Sequence, residues 1–434
     1  MYDLIIRDAT ILHSARRLVA DIAVKDGKVV EVGGPIYGRT KTELPGIGRF
    51  IMPGVIDTRV RAGRPGDGIG HDWHALSRAA LAAGTTAIFD LPDARTPVRD
   101  RKALAAAREA SQGSLVDVGH WIQATEDNLS EVADAVSAGE AVGAFIRAGW
   151  ASDATGTVDL DAVPEMLAAL PGRVGLQVED GAILRKAHRK LGDAEGSDAL
   201  LRPGRAEADA LQALVEWLKE SPHAVHLVGL TTAEGLNHVD PVRGDIPLSL
   251  GVSPQHLFLS VETHKIGGAA KTDPPVRNEL DRRALWSAIK RGRIDTFHSA
   301  HVPLEHSEKL VPYAERPAGL PGVDTLLPLL MGAVKNGRIG FEEVVRMCSE
   351  TPARLFDLQG KGRIQEGADA DLLLVREGNT RRLKPAPAAS GVTWSPFLGR
   401  EVGLLPEVVI ARGAVVARDG VLVGDVSNGV FLRG

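Results

Sequence analysis

Hydrophobic and polar residues follow two different patterns along this chain. Up to about residue 50, short apolar stretches alternate with polar residues, and the segment KDGK at 25–28 carries an Asp-Gly pair typical of a β-hairpin turn. From Arg49 onward, short apolar runs alternate with segments whose apolar residues recur every three to four positions. The first pattern predicts strands, and the second predicts strands in alternation with helices.

Eight apolar runs are the predicted strands of one parallel sheet. They are FIMPGVID, TTAIFDLP, LVDVGHWIQA, AVGAFIRA, RVGLQVED, AVHLVGLTT, DIPLSLGV and RIDTFHSAH. Helical segments such as HALSRAALAAG and EADALQALVEWLKE lie between them. A strand followed by a helix or a helix-bearing loop, repeated around a closed sheet, predicts an α/β fold of the (β/α)8 TIM-barrel type.

Strands return after Leu358, in GRIQEGADADLLLVREG and PEVVIARGAVVARDGVLVG. Because both ends of the chain are rich in strands, we expect a small β-sandwich domain formed from both termini. The predicted division assigns residues 1–50 and 358–434 to this small domain and residues 51–357 to the barrel.

Composition excludes several classes of protein. The chain has 434 residues, of which 44% are hydrophobic and 25% charged, as in ordinary folded proteins. Its net charge of -5, without a basic block, predicts no nucleic-acid partner. No segment approaches the ~18 apolar residues of a membrane span, and the N-terminus alternates like a strand rather than a signal peptide. The single cysteine, Cys348, is a predicted core residue and fits a cytoplasmic location.

The end of the first barrel strand carries an unusual pair of residues. Arg59 and Arg61 lie two positions apart, so their side chains are expected on one face of the strand. Hydrolases often place His-x-His at such a strand end to bind a metal. Arginine has five donors, no acceptor and a permanent charge, and therefore cannot ligate a cation.

Four motifs give the chain a family resemblance. They are PGVID at 53–57, Glu179-Asp180, KTDPPVR at 271–277 and GKGRIQEGADADLLL at 360–374. On these motifs the chain resembles the amidohydrolase superfamily and, more narrowly, is similar to dihydroorotases, hydantoinases and allantoinases. The resemblance implies a binuclear zinc site at the C-terminal ends of the barrel strands. There, metal-bound hydroxide would attack a cyclic amide while an aspartate moves the proton.

The residues at the positions implied by this resemblance depart from the family pattern. Histidine positions are filled by Arg59, Arg61, Gln177 and Gly229, the bridging position falls near Arg147, and the catalytic aspartate is Ala300, followed by His301. A carbamylated lysine is excluded because no lysine lies between Lys102 and Lys186. Asp93 replaces the substrate-binding asparagine and would repel a carboxylate. We therefore expect a degenerate pocket with no catalytic residues, no bound zinc and no ring hydrolysis.

Three interpretations of this pocket are open. In the first, the arginines occupy the space of the metals and form ion pairs with nearby acidic residues, for which the candidates are Asp57, Asp90, Asp93 and Glu179. In the second, the arginines form an anion-binding pocket, since guanidinium groups suit carboxylate or phosphate. In the third, His71, His74, His298 and His301 rebuild a mononuclear zinc site.

Three functions follow from these interpretations. The first is a pseudoenzyme of pyrimidine biosynthesis that serves as a structural partner of aspartate carbamoyltransferase. The second is an active cyclic amidohydrolase with a rebuilt site, and the third is a small-anion binding protein. The carbamoyltransferase partner and a homo-oligomer are implied by the resemblance alone.

Overall fold

The computed structural model describes most of the chain. The described residues are 1–62, 73–92, 96–149, 156–191, 198–262, 270–312, 315–376, 380–384, 394–403, 405–424 and 426–433. The strands are β1 Tyr2–Leu12, β2 Arg17–Lys25, β3 Lys28–Gly33, β4 Thr40–Pro45, β5 Phe50–Pro53, β6 Val55–Val60, β7 Thr85–Asp90, β8 Asp117–Gln123, β9 Gly143–Ala148, β10 Val174–Val178, β11 Val225–Leu227, β12 Leu248–Val252, β13 Thr296–Phe297, β14 Leu372–Val375, β15 Thr380–Arg382, β16 Glu401–Gly403, β17 Val408–Ala411, β18 Ala414–Arg418 and β19 Val421–Leu422.

Helices follow or cover most barrel strands. They are α1 Trp73–Ala82, α2 Arg101–Ala110, α3 Leu129–Ser137, α4 Val163–Ala169, α5 Gly181–Leu191, α6 Asp198–Leu201, α7 Gly204–Glu220, α8 Ala233–Val239, α9 Pro254–Phe258, α10 Glu279–Lys290, α11 Leu326–Lys335, α12 Phe341–Val345 and α13 Thr351–Leu355. Among these helices none has the length and apolar content that crossing a bilayer requires.

Strands β6 to β13 form an eight-stranded parallel sheet in the order of the sequence. The sheet closes where Val60 bridges His301, and the backbone N–H of Arg61 donates to the His301 carbonyl at 2.9 Å. The strands are buried throughout because helices cover the outside and side chains fill the inside. β7 to β13 lie within predicted apolar runs, and β6 begins in the first run and continues to Val60, so the predicted α/β TIM barrel is confirmed.

Strands from both ends of the chain build a nine-stranded sheet. β5, which leads into the barrel, pairs antiparallel with β14, which follows it. The β2–β3 hairpin turns at Asp26 and Gly27, whose φ angles are 50° and 77°, as the Asp-Gly pair predicted. The exact domain boundaries stay a prediction. Cys348 is completely buried, as expected of a core residue.

A buried lysine joins this sheet to the start of a barrel strand. Lys361 contacts the carboxylate of Asp117 at the beginning of β8, and its Nζ lies 2.7 Å from Asp371 and 2.8 Å from Asp369. Burial opposes the charge of Lys361, but the attraction of Asp371 and Asp117 outweighs burial and raises the pKa of the lysine. The ion cluster therefore fixes the small sheet against the barrel.

Candidate functional site

The C-terminal ends of the barrel strands gather most of the residues that the sequence marks. Arg59 on β6, Arg147 on β9 and Gln177 on β10 are buried, with 4%, 4% and 5% exposure. Gly229 follows β11, and His301 closes the barrel beside β6. Parallel strands end at the same edge of the sheet, which is why residues far apart in the sequence meet here.

Arg59 lies across the mouth of the barrel. Its Nη2 donates to Oε1 of Gln177 at 3.1 Å and to the backbone carbonyl of Asp273 at 2.7 Å. A Cβ atom added at Gly229 would lie 2.9 Å from Nη1 of Arg59, which is closer than real Cβ contacts. The glycine therefore leaves the space that the guanidinium needs.

Asp273 is the acceptor on which these polar groups converge. Its Oδ2 accepts from Nη1 of Arg147 at 2.5 Å, while its Oδ1 accepts from Nε2 of Gln177 at 2.8 Å and lies 2.7 Å from Nη1 of Arg202. Burial alone would raise the pKa of Asp273. The attraction of Arg147, Arg202 and Arg59 outweighs burial and holds the pKa well below its usual value. The surrounding guanidinium groups therefore favour the ionised form of Asp273.

Further ion pairs extend this network away from the mouth. Nε of Arg202 donates to Oε2 of Glu179 at 3.0 Å. Nη2 of Arg277 lies 3.8 Å from Oε1 of Glu179 and 3.8 Å from Oε2 of Glu207, and its Nε donates to the Thr231 hydroxyl at 2.9 Å. Buried charges are tolerated when oppositely charged groups surround them. Guanidinium and carboxylate groups alternate along this network, so each charge has an oppositely charged neighbour.

The partner of Arg147 differs from the candidates that the sequence suggested. Asp273 lies in the KTDPPVR motif, which carried the resemblance but was not assigned to the pocket. Among the four suggested acids, Glu179 pairs instead with Arg202. Asp93 lies outside the described residues. The sequence offered one indication that Asp273 belongs to the pocket, namely that it is an acidic residue inside a family motif.

Asp57 and Asp90 have other roles. Oδ1 of Asp57 accepts the backbone N–H groups of Ser299 at 3.0 Å and Arg59 at 3.3 Å. Burial raises the pKa of Asp57 to about 6, although these hydrogen bonds act against the rise. Within the described ranges no carboxylate–guanidinium pair includes Asp57, contrary to expectation. Asp90 accepts the Ala62 N–H at 3.1 Å and contacts a histidine.

One small cavity lies at the mouth among the described residues. The cavity bounded by Arg59, Arg61, Asp273, Ala300 and His301, among other described residues, measures about 20 Å³. Arg61 is half-buried, and Ala300 adopts a φ of 50°, in the left-handed region that alanine rarely enters. Such a cavity holds about one water molecule, whereas small-molecule pockets span ~300–1,000 Å³.

Among the described residues, the histidines considered for a zinc site form no metal-binding group. His71 lies outside the described residues, while His74 is exposed on α1 and His298 is completely buried. Nδ1 of His301 accepts the backbone N–H groups of Gly322 and Val323 at 3.0 and 3.3 Å. Over the described part of the chain, no group of three or more His, Cys, Asp or Glu side chains is arranged to hold a metal ion.

The side chains at the mouth do not fit the zinc that the family resemblance implies. Arg59 and Arg147 present only N–H donors, and the carbonyl oxygen of Gln177 already accepts from Arg59. Zinc requires lone pairs from several nitrogen, oxygen or sulfur atoms. The described arginine side chains at the mouth present N–H donors, and the carboxylates of Asp273 and Glu179 are engaged by arginine.

Comparison with known proteins decides the family. The chain is 31% identical over 426 residues to a dihydroorotase of Halobacterium salinarum, a match that covers 95% of this chain and 96% of the relative. It is 30% identical to an allantoinase of Bacillus velezensis, over 86% of this chain and 85% of that protein. The chain belongs to the amidohydrolase superfamily. Its relatives place it in the cyclic-amidohydrolase group, although no protein-family model matches the sequence.

Solved structures agree with this membership of the amidohydrolase superfamily. The L-hydantoinase (dihydropyrimidinase) of Arthrobacter aurescens superimposes with a TM-score of 0.91 at 25% identity, and the match covers 100% of both chains. A dihydropyrimidinase of Brevibacillus agri gives a TM-score of 0.90 at 24% identity, which supports the fold. The barrel and the sheet domain are therefore those of a complete amidohydrolase fold, with an arginine–carboxylate network at the mouth.

Proposed function

We propose that this amidohydrolase homologue does not hydrolyse cyclic amides, because arginine side chains occupy the part of the barrel where the family binds divalent metals. The observation that carries the proposal is the set of contacts made by Asp273, which accepts from Arg147 and Gln177 through its carboxylate and from Arg59 through its carbonyl. Arg59, Arg147 and Gln177 stand at positions that the resemblance assigns to metal ligands. Each of them donates a hydrogen bond to Asp273.

The chemical consequence follows from the pKa of water. A catalytic metal lowers the pKa of bound water from ~16 to ~7 and so supplies hydroxide at neutral pH. Guanidinium groups bring positive charge to the mouth, but they cannot bind the lone pair of water as a metal does. Asp57 and Glu179, which remain near the mouth, serve as acceptors for backbone N–H groups and for Arg202.

Turnover measurements test this proposal. The protein, purified without a histidine tag, is assayed with dihydroorotate, hydantoin, dihydropyrimidines and allantoin, with and without added zinc or manganese. We expect no ring opening above the uncatalysed rate with any of the four. Ring opening that chelators or the substitution His301→Ala abolish would instead establish an active hydrolase with a rebuilt site.

We also propose a structural role in pyrimidine biosynthesis, with aspartate carbamoyltransferase as the partner and a homo-oligomer as the assembling unit. Support comes from the dihydroorotase relatives, which match this chain over almost its whole length. Mixing the protein with the aspartate carbamoyltransferase of the same organism, followed by size-exclusion chromatography with light scattering, tests the partner. We expect a complex larger than either protein alone; unchanged elution of both proteins would reject the partnership.

A further inference from the structure

A serine, a histidine and an aspartate are hydrogen-bonded in series on the helix-facing side of the barrel. Oγ of Ser111, directly after α2, lies 3.1 Å from Nε2 of His120 on β8. Nδ1 of the same imidazole lies 3.2 Å from Oδ2 of Asp90, the last residue of β7. His120 and Asp90 are completely buried and Ser111 is 8% exposed. Neither Ser111 nor His120 takes part in the arginine–carboxylate network at the mouth.

The carboxylate determines how the imidazole can act. An aspartate beside Nδ1 accepts a hydrogen bond and so favours the tautomer with its proton on Nδ1, and that tautomer presents the Nε2 lone pair to Ser111. The serine hydroxyl has one proton and two acceptors within reach, Nε2 of His120 and the carbonyl of Arg108 at 2.9 Å. Transfer of that proton to Nε2 is the step that activates a serine nucleophile.

Aromatic residues hold the imidazole in this orientation. Trp73 of α1 meets the His120 ring edge-on at 5.7 Å between centroids, and Phe431 stacks against it at 6.1 Å. Phe431 belongs to the C-terminal tail, which is fixed where the Val430 N–H donates to Asp117 at 2.8 Å and the Leu432 N–H donates to the Val118 carbonyl at 2.8 Å. A rigid imidazole keeps the proton-transfer geometry without reorganisation.

Ser111 opens onto a pocket of about 210 Å³. Val118, Val430 and Phe431 provide its apolar walls, and Arg108 brings a guanidinium whose Cζ lies 3.8 Å from the centre of the Phe431 ring. The volume admits a small molecule only, since drug-sized ligands need ~300 Å³ or more. The positive charge beside the nucleophile favours a substrate that carries a carboxylate.

We propose that Ser111, His120 and Asp90 form a second hydrolytic site, which cleaves small carboxylic esters that bear a negative charge. Oγ of Ser111 bonds to the ester carbonyl carbon as its proton passes to Nε2. The bond from that carbon to the alkoxy oxygen then breaks, and the leaving oxygen takes the proton. Water adds to the acyl-serine and gives a proton to Nε2, and the carboxylic acid leaves as Ser111 recovers its proton. The cycle consumes one water and is independent of the barrel mouth.

A fluorophosphonate reagent and two esters test this site: the anionic 4-carboxyphenyl acetate, which should turn over faster, and its neutral counterpart 4-(methoxycarbonyl)phenyl acetate. We expect the reagent to add one phosphonyl group, located on Ser111 by mass spectrometry, and we expect ester turnover that chelators do not reduce. Ser111→Ala should abolish labelling, and His120→Gln should slow it by about 100-fold, the usual order of a lost general base. Ser114→Ala is the matched control, because Ser114 lies in the same pocket but the described hydrogen bonds of its hydroxyl are to the backbone of Val116 and not to an imidazole; the variant should label at the wild-type rate.

Three results would overturn the assignment. They are a wild-type protein that stays unmodified in excess reagent, an adduct on a residue other than Ser111, and equal labelling rates for His120→Gln and wild type. Circular dichroism of each variant distinguishes lost chemistry from lost folding. If a variant does not fold, labelling of the wild-type protein alone decides the question. None of these results changes the expectation that cyclic amides are not hydrolysed, because that expectation concerns the residues at the barrel mouth.

Discussion

Nη1 of Arg59 lies 2.9 Å from the point where a Cβ atom of residue 229 would stand, so any side chain at residue 229 would require the guanidinium of Arg59 to shift. The family resemblance places a histidine at each of these positions. The structure gives a physical reason for the two departures to occur together: a guanidinium that bonds Gln177 and Asp273 uses the space of the residue 229 side chain.

Gly229→Ala tests this relationship directly. The added methyl group must shift the guanidinium of Arg59, and because that group ends a flexible side chain, the loss in the free energy of unfolding should lie near the lower end of the ~1–3 kcal/mol that overpacking costs. Chemical denaturation measures the loss. Gly244→Ala is the control, because a Cβ there meets nothing within 4 Å. In an Arg59→Ala background, Gly229→Ala should cost much less; an unchanged cost would contradict direct contact.

Arg147→Met should be strongly destabilising. It leaves Asp273, whose side chain is 16% exposed, with one cation fewer, and the loss should lie near the lower end of the about 3–5 kcal/mol that breaking a buried ion pair costs. Adding Asp273→Asn removes the uncompensated charge and should recover part of the loss, which a double-mutant cycle measures by denaturation. The exposed pair of Arg205 and Asp209 provides the control, since Arg205→Met should change stability by less than about 1 kcal/mol. Additive effects of the two buried substitutions would rule out the pairing.

Asp57 should give the stability of the protein a particular pH dependence. Its pKa is raised to about 6 in the folded state from an ordinary 3.8, so the folded protein binds the proton more tightly than the unfolded chain. The free energy of unfolding therefore falls as the pH rises from 3.8 to about 6. Above pH 6 the full destabilisation by the ionised Asp57 is present. The shift corresponds to roughly 3 kcal/mol at 1.36 kcal/mol per pKa unit.

Asp57→Asn removes this titration while keeping an oxygen that can accept from the backbone. The stability of the variant relative to wild type should therefore increase between pH 4 and pH 7. Denaturation curves at both pH values provide the comparison. A difference between the two proteins that is the same at both values would show that Asp57 does not carry the raised pKa.

Lys361→Met should weaken the attachment of the small sheet to the barrel. Without the ammonium group, Asp117 keeps its contact with Arg412 at 3.0 Å, whereas Asp371 is left as a buried acid beside it, and the expected loss is about 3–5 kcal/mol. Lys28→Met is the matched control: Lys28 also contacts Asp369, but its side chain is 51% exposed, and the loss should stay below about 1 kcal/mol. Equal losses in the two variants would show that burial of Lys361 has no energetic role.

The barrel could be predicted from the sequence because its strands and helices are periodic. Buried strands such as β7 and β8 appear as continuous apolar runs, and α7 repeats its apolar residues at helical spacing. Both patterns depend only on local burial. The sheet formed from the two ends of the chain was predictable for the same reason, and its Asp26-Gly27 turn has a local sequence signal.

The partners in the pocket could not be predicted in this way. Asp273 and Arg202 lie in loops without periodicity, and their positions depend on how distant segments meet. The sequence correctly indicated that Arg147 would not be left without an anion, because a buried charge needs one. It did not indicate which carboxylate would be closest. The contact between Ser111, His120 and Asp90 could not be predicted for the same reason. It depends on the pairing of β7 with β8, which brings Asp90 opposite His120.

The metal content of protein purified without a histidine tag tests the central claim most directly. Elemental analysis by mass spectrometry, after incubation with excess zinc or manganese and removal of free metal, gives the number of ions per chain. The arginine–carboxylate network predicts less than about a tenth of an equivalent, because the described mouth residues offer donors rather than lone pairs. One or two tightly held equivalents, lost when Gln177 or His301 is replaced by alanine, would contradict the account.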